Sequence, residues 1–587
     1  MGTRHAVKNI SIRCNRAAPQ CEKCKAIGAE CEYLPRKSRA KKQGNNNAEN
    51  GLLLDILDRL KRLEKHCGLE KGRESDENGR RLVSSDTVGF VPSDESSLVS
   101  GILCHIKNPK GKAMLLSSVF NPLRATKWWF FNNERCMRAI TAAMAEIEYV
   151  QTAPVNEPPA SPEMSKDMAK HLVQEFYTRF QFEGHKIPLE KGFLLSIPDL
   201  LENPHVQIDY PCQIIYHTVR IRGIVLDTSS YEDSVGLLRH LHQACLALTD
   251  RWLDRIQNTP ADMEAAFSMV SMALEACDSD LAWKIFGHAC TIARSLGYFS
   301  VDTDPADPTE AAPANEPATS ETEVEKNRKR FTFWHLIRTD HLFRLSYGKP
   351  TLIPAGSWKV NFPDPTISGV DDESSRFIQI HFLASMRLAL VVMKYLDWID
   401  SGPDPDPILH DATVDGFLEE VQSIMSDWDT DKLLLMAKTG IDKRYYADMI
   451  SGSYKILIVL HQSKKYHQER CHLPQHTVDI SRKSIQMFRS LLGPLLNTYW
   501  GISAILHHQL IPFFIICLDI IGNPGSGDIE TDLASVTWIS DYVEKVAQER
   551  AELRPVMMVF TAMASACHHV NKERLASSMA GSPLTSS

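Results

Sequence analysis

Four of the fourteen cysteines in this 587-residue chain fall within eighteen residues, at Cys14, Cys21, Cys24 and Cys31. The other ten are scattered from Cys67 to Cys567 with no C-x2-C pair among them. A disulfide framework would spread its cysteines evenly through a small secreted chain. The scattered ten therefore read as buried thiols in a reducing compartment, and the clustered four as metal ligands. Their spacing is C-x6-C-x2-C-x6-C, and a C-x2-C step lets two thiolates reach one tetrahedral zinc from a single turn. Arg13, Arg16, Lys23 and Lys25 stand close by and favour the thiolate form. Zinc is the expected cofactor.

Charge divides the chain at the same place. Residues 1–42 carry eleven Lys or Arg against Glu22, Glu30 and Glu32, a local net charge of +8. The whole chain is −8, so the remainder holds −16. A small basic head on a large acidic body is the pattern of a head that meets a polyanion and a body that does not. Behind the last clustered cysteine, Arg36, Lys37, Arg39, Lys41 and Lys42 form a tract that can touch phosphates or act as a nuclear-import signal. No apolar run reaches the roughly 18 residues that span a bilayer. The longest, Leu510 to Leu518, contains Pro512 and reads as a buried helix. The first residues show no secretory h-region, so a membrane or secreted protein is not expected.

The segment RCNRAAPQCEKCKAIGAECEYLPRKSRAKK resembles the fungal six-cysteine binuclear zinc cluster of transcription regulators. That family runs C-x2-C-x6-C, a proline-bearing loop, C-x2-C-x6-C and a basic linker. Cys14 matches the third cysteine, Pro19 lies in the loop, and Cys21, Cys24 and Cys31 match the fourth to sixth, with Gly28 and Tyr33 also in place. The first two cysteines would fall at positions 4 and 7, which hold Arg4 and Val7. Three thiolates then need a fourth ligand, from Cys14 or from His5. The stretch where the family carries its DNA-reading helix is Lys8-Asn9-Ile10-Ser11-Ile12-Arg13. Lys8 and Arg13 are its basic residues, and Ile10 and Ser11 offer no fork for guanine. These departures lead us to expect a truncated or alternative start, or a head that has lost half its cluster.

After the flexible Gly44–Asn50, apolar residues recur at steps of three and four at Leu53, Ile56, Leu60, Leu63 and Cys67, an a/d seam ringed by charge and stopped by Gly68. Two heptads pair chains weakly. We expect a short dimerising coil over residues 43–70, as the resembled family places one here; folding back on the body is the other reading. Residues 71–163 read as a tether and a partly helical segment, with Trp128-Trp129-Phe130-Phe131 more in keeping with core packing than with a sticky surface.

From residue 164 to 575 the dominant period is helical. Ile285, Ala289, Ile292 and Leu296 make one stripe, which Gly297 can close. Phe333, Ile337, Asp340, Phe343 and Tyr347 make another, ahead of Gly348-Lys349-Pro350. A carboxylate on an apolar stripe needs partners, so Asp340 is expected to take a backbone amide or an arginine such as Arg344. Residues 302–325 lack aromatics and have little to bury, which predicts a disordered insertion; 402–407 and 522–527 read as loops, and 576–587 as a tail. HACTIARSLGYFSVD and RKRFTFWHLIRTDHLFRLSYGKPTLIP resemble two motifs of the fungal transcription factor regulatory domain, or middle homology region. Arg330, Trp334, Asp340, Gly348, Pro350, Ile353 and Pro354 fit; His341 and Lys349 stand where arginine is usual. The resemblance implies an all-helical domain that inhibits, senses a small molecule or binds a protein partner.

The expected architecture is mainly α: a small zinc-cluster module at 1–42, a short coil, and a large all-helical regulatory domain. No HExxH, Walker loop, GxGxxG or GxSxG is present, and an enzyme is not expected. His507-His508, His568-His569 and the His240/His242 pair point apart on helices and read as surface or packed residues. The expected function is sequence-specific binding of double-stranded DNA in the nucleus of a fungus, as a homodimer that regulates a pathway's transcription by RNA polymerase II. The alternative is a truncated dimerisation partner that does not bind DNA.

Overall fold

The computed structural model describes residues 164–179, 186–226, 234–303, 321–364, 376–402, 406–437, 440–465, 473–491, 508–523, 528–550 and 553–580. The chain divides into Met1–Phe90 and Val91–Ser587, and every described residue belongs to the second unit. The zinc module, the coil and residues 71–163 of the sequence reading lie outside the described residues. So does 304–320, the middle of the expected insertion.

Every regular element among the described residues is a helix. In chain order these are α1 (Lys166–Arg179), α2 (Lys191–Leu200), α3 (Tyr210–Leu226), α4 (Ser234–Leu253) and α5 (Pro260–Glu275). Next come α6 (Ser279–Ser295), α7 (Glu323–Tyr347), α8 (Arg376–Asp400), α9 (Pro407–Asp427) and α10 (Thr430–Met436). The last are α11 (Gly440–Ser463), α12 (Gln475–Leu491), α13 (Leu510–Gly522), α14 (Ile529–Glu549) and α15 (Arg554–Ala580). The expected mainly α class holds for these residues. The last helix runs to Ala580, past the expected body end at 575.

Packing is mostly serial. α3 meets α1, α4 and α5; α5 meets α6; α7 meets α6 and α8; α11 gathers α8, α9, α10 and α12; and α13 joins α12 to α14 and α15. Two helices are apolar around most of their circumference, the mark of a buried helix. α3 places Ile214, Ile221 and Ile224 in the main core and Ile215, Tyr216, Val219 and Leu226 in a smaller one shared with α1 and α2. α13 buries every residue from Leu510 to Ile521. Pro512 sits in its first turn, where a missing N–H costs no helical bond. Where α3 crosses α1, a Cβ at Gly223 would lie 2.4 Å from the Leu172 carbonyl oxygen, so the two backbones touch.

Both sequence-read stripes are buried, apart from a half-buried Leu296. Gly297 ends α6 in the left-handed region (φ 74°), with Tyr298 N–H donating to the Ala293 carbonyl at 2.9 Å. Gly348 ends α7 the same way (φ 60°), and Lys349 N–H reaches the Phe343 carbonyl at 3.1 Å. Glycine adopts this conformation without the Cβ penalty. At the other end of α7, Thr322 and Glu325 form a reciprocal capping box. The two ends of the expected disordered stretch 302–325 are thus built into the fold. Thr322 to Glu325 start a helix, and Asp302 pairs with Arg330. What that reading lacked was the partner: Asp302 has nothing apolar to bury, but it has a guanidinium to meet.

Candidate functional site

The residues assigned from sequence to zinc (Cys14, Cys21, Cys24, Cys31), to DNA (Lys8, Arg13, Arg36, Lys37, Arg39, Lys41, Lys42) and to dimerisation (Leu53, Ile56, Leu60, Leu63) all lie outside the described residues. In the helical body two polar arrangements stand out.

The first is built on the regulatory-domain motif. α7 projects Trp334 and Asp340 toward the segment that follows it and Arg330 toward Asp302, ahead of the helix. Arg330 Nε donates to both oxygens of Asp302 at 3.2 and 3.0 Å, and Nη1 pairs with Glu323. Asp302 Oδ2 also accepts from Asn361 N–H at 2.7 Å. Trp334 Nε1 donates to the Asn361 carbonyl at 2.9 Å. Asp340, fully buried, accepts from Leu352 N–H through Oδ1 and from the Thr351 hydroxyl through Oδ2, both at 2.8 Å. Burial pushes its carboxyl up, and these two donors partly oppose that. The expected backbone amide is therefore present. Arg344 is not the partner: it reaches Asp397 and Asp400 on α8 instead. These side chains fasten residues 351–361 along α7.

The second arrangement joins α8, α11 and the start of α13. His381 Nε2 and His508 Nε2 each lie 2.8 Å from a different oxygen of Asp448. Burial raises the Asp448 carboxyl, but the hydrogen bonds from the two imidazoles outweigh it and hold the group well below the usual carboxylate range. Burial lowers His381, and Asp448 partly restores it. Asp448 keeps 43% of its side chain open, whereas His381 keeps 7%. Two turns along α11, buried Lys455 donates to Ser346 Oγ on α7 at 3.0 Å. Next to Ser346 and Lys455 in the chain, Leu345 and Ile456 line an apolar cavity of about 10 Å³ with Val391 and Tyr395, room for one water at most. With two imidazoles on one carboxylate and a buried lysine two turns along, the cluster can hold α7, α8, α11 and the segment entering α13 in register.

Sequence reading took the His507-His508 pair as surface or packed residues and did not single out His381, Asp448 or Lys455. A lysine inside the apolar run of α11, one helical face along from an aspartate, was the available signal. The other histidine pairs diverge as expected. His242 is buried, and burial pushes it down to about 3; His240 is exposed. His568 meets Thr537 and His569 meets Glu573. Among the described residues no group of three His, Cys, Asp or Glu is arranged to hold a metal, and no helix is long and apolar enough to cross a membrane. No family model, curated protein or solved structure matches this chain.

Proposed function

We propose that this chain is a zinc-dependent, sequence-specific DNA-binding regulator of RNA polymerase II transcription in a fungus, acting in the nucleus on a particular pathway. The observation that carries the reading is the C-x6-C-x2-C-x6-C spacing of Cys14, Cys21, Cys24 and Cys31, run directly into the basic tract Arg36 to Lys42. Zinc folds the head, the tract meets phosphates, and the coil from Leu53 to Leu63 pairs two chains. The helical body supports the reading through Arg330, Trp334 and Asp340, the residues on which the regulatory-domain resemblance rests and which fasten α7 to its neighbours. In this role the body answers a small molecule or a protein partner and masks or exposes an activating surface.

Arg4, Val7 and the apolar centre Ile10-Ser11-Ile12 favour a second reading, a dimerisation partner without groove recognition. Binding of the full chain to a random duplex library at several salt concentrations separates the two. A specific reader selects one site at least about 10³-fold over bulk duplex; a basic tail gives the salt slope without selection. Replacing Cys21→Ala should remove bound zinc and selection together, and selection that survives it would sink the zinc mechanism.

A further inference from the structure

Arg220 on α3 is a buried cation held by neutral groups. Its side chain is 8% exposed. The guanidinium lies over the Tyr216 ring, 4.1 Å from the centroid. Nη1 faces the Met164 thioether at 3.4 Å, and Nη2 meets Nδ1 of His217. Nε is buried and has no partner. Among the described residues no carboxylate pairs with this cation.

Each contact is electrically neutral. An aromatic face offers a quadrupole and not a charge, and a thioether is a weak acceptor. His217 must present a lone pair at Nδ1 to accept from Nη2, so it is neutral here. Burial and then Arg220 push it down to about 3 in agreement with that. Arginine cannot escape by losing its proton, as a buried lysine can. An uncompensated buried charge is among the most costly features a core can hold. Elsewhere in the same body buried guanidiniums have carboxylates: Arg330 has Asp302 and Arg550 has Glu275. At Arg220 the α1 N-terminus, which begins at Lys166 just past Met164, adds further positive potential. Half-buried Met164 covers one edge of the guanidinium, and a swing of its unbranched side chain opens that edge.

We propose that Arg220 is the anchor of a carboxylate-binding site on the helical body, which takes a small organic acid against the guanidinium between α1 and α3. The carboxylate displaces the Met164 thioether and receives hydrogen bonds from the guanidinium, whose planar fork matches its two oxygens. His217 and Tyr216 seat the cation from the protein side. The site is independent of the DNA-binding reading, and a failure of either leaves the other standing.

The test is thermal unfolding of the full chain titrated with sodium malonate, against sodium chloride at equal ionic strength and against inorganic phosphate. The expected result is a saturable rise in Tm of about 2 °C with malonate and a smaller one with phosphate. Arg220→Met should unfold at a higher Tm than the wild type without anion, because it removes the unpaired charge, and should not respond to malonate. No saturable rise, a stronger response to phosphate, or a malonate response that survives Arg220→Met would each overturn the proposal. Should Arg220→Met fail to fold, Arg220→Lys decides. It keeps the charge but loses the fork, and should weaken malonate binding at least about tenfold; undiminished binding would overturn the assignment.

Discussion

Two helix junctions bury an arginine, and they treat it differently. Where the loop after α14 meets the end of α5, Arg550 is 1% exposed, Nη1 donates to Glu275 Oε1 at 2.8 Å and Nη2 to the Glu275 carbonyl at 2.6 Å. Where α3 meets α1, Arg220 has a ring, a thioether and an imidazole lone pair. The first is a closed ion pair across 275 residues of chain, tying an early helix to a late one. The second has the geometry of a seat to which no carboxylate among the described residues supplies a counter-charge. Burial alone does not distinguish structure from recognition here; the presence of a counter-charge does.

The comparison can be broken at Arg550. Glu275→Gln keeps the size of the side chain and an oxygen for Nη1, but leaves the guanidinium without its carboxylate. Loss of one member of a buried pair costs about 4 kcal/mol, so urea unfolding should show a correspondingly lower midpoint with unchanged slope. The double variant Glu275→Leu with Arg550→Met should recover most of that loss, since neither charge remains. If Glu275→Gln is nearly neutral, this protein tolerates an unpaired buried guanidinium, and the case for a ligand at Arg220 loses its energetic footing.

A smaller effect is expected where the buried charge is negative. Asp340→Ala leaves the Leu352 N–H and the Thr351 hydroxyl without their acceptor and should cost about 2 kcal/mol. Asp340→Asn keeps an oxygen for the amide and should cost less than half as much. The order of the two variants in urea unfolding is the check; equal losses would mean that the charge of Asp340, and not its two hydrogen bonds, carries its contribution.

How far these features could be read in advance follows from their reach along the chain. The stripes Ile285 to Leu296 and Phe333 to Tyr347 are local and periodic, and their burial follows from spacing. Asp340 was legible as a carboxylate in need of a donor because it interrupts such a stripe. Its donors come from a turn eleven and twelve residues on, so a backbone amide could be anticipated while Arg344, one turn away, could not be excluded. Arg344 goes instead to partners 53 and 56 residues distant, which no local pattern encodes. Arg220 and Asp448 were invisible for a related reason. α3 is buried nearly all round, so no polar face betrays an ion out of place, and the neighbours of Asp448 come from α8 and from His508, two residues before α13. The cysteine spacing is legible without any fold, because metal ligation is a local demand.

Lys455 supplies the third way of burying a cation and the sharpest contrast with Arg220. It is 5% exposed, and burial pushes its ammonium down to about 8. In the unfolded chain a lysine titrates near 10.4. Between these values the unfolded state binds more protons than the folded state, so this group makes the fold more stable as pH rises through the window. Relative to Lys455→Met, the wild type should gain about 1 kcal/mol between pH 7 and pH 9, read from urea unfolding at each pH. Arg220 has no such release, because a guanidinium stays charged throughout that range. The difference between wild type and Arg220→Met should therefore be flat over the same pH span. A flat Lys455→Met difference would show that the Lys455 ammonium is solvated in the folded state. A sloping Arg220→Met difference would show that something other than the guanidinium titrates at the α1–α3 junction.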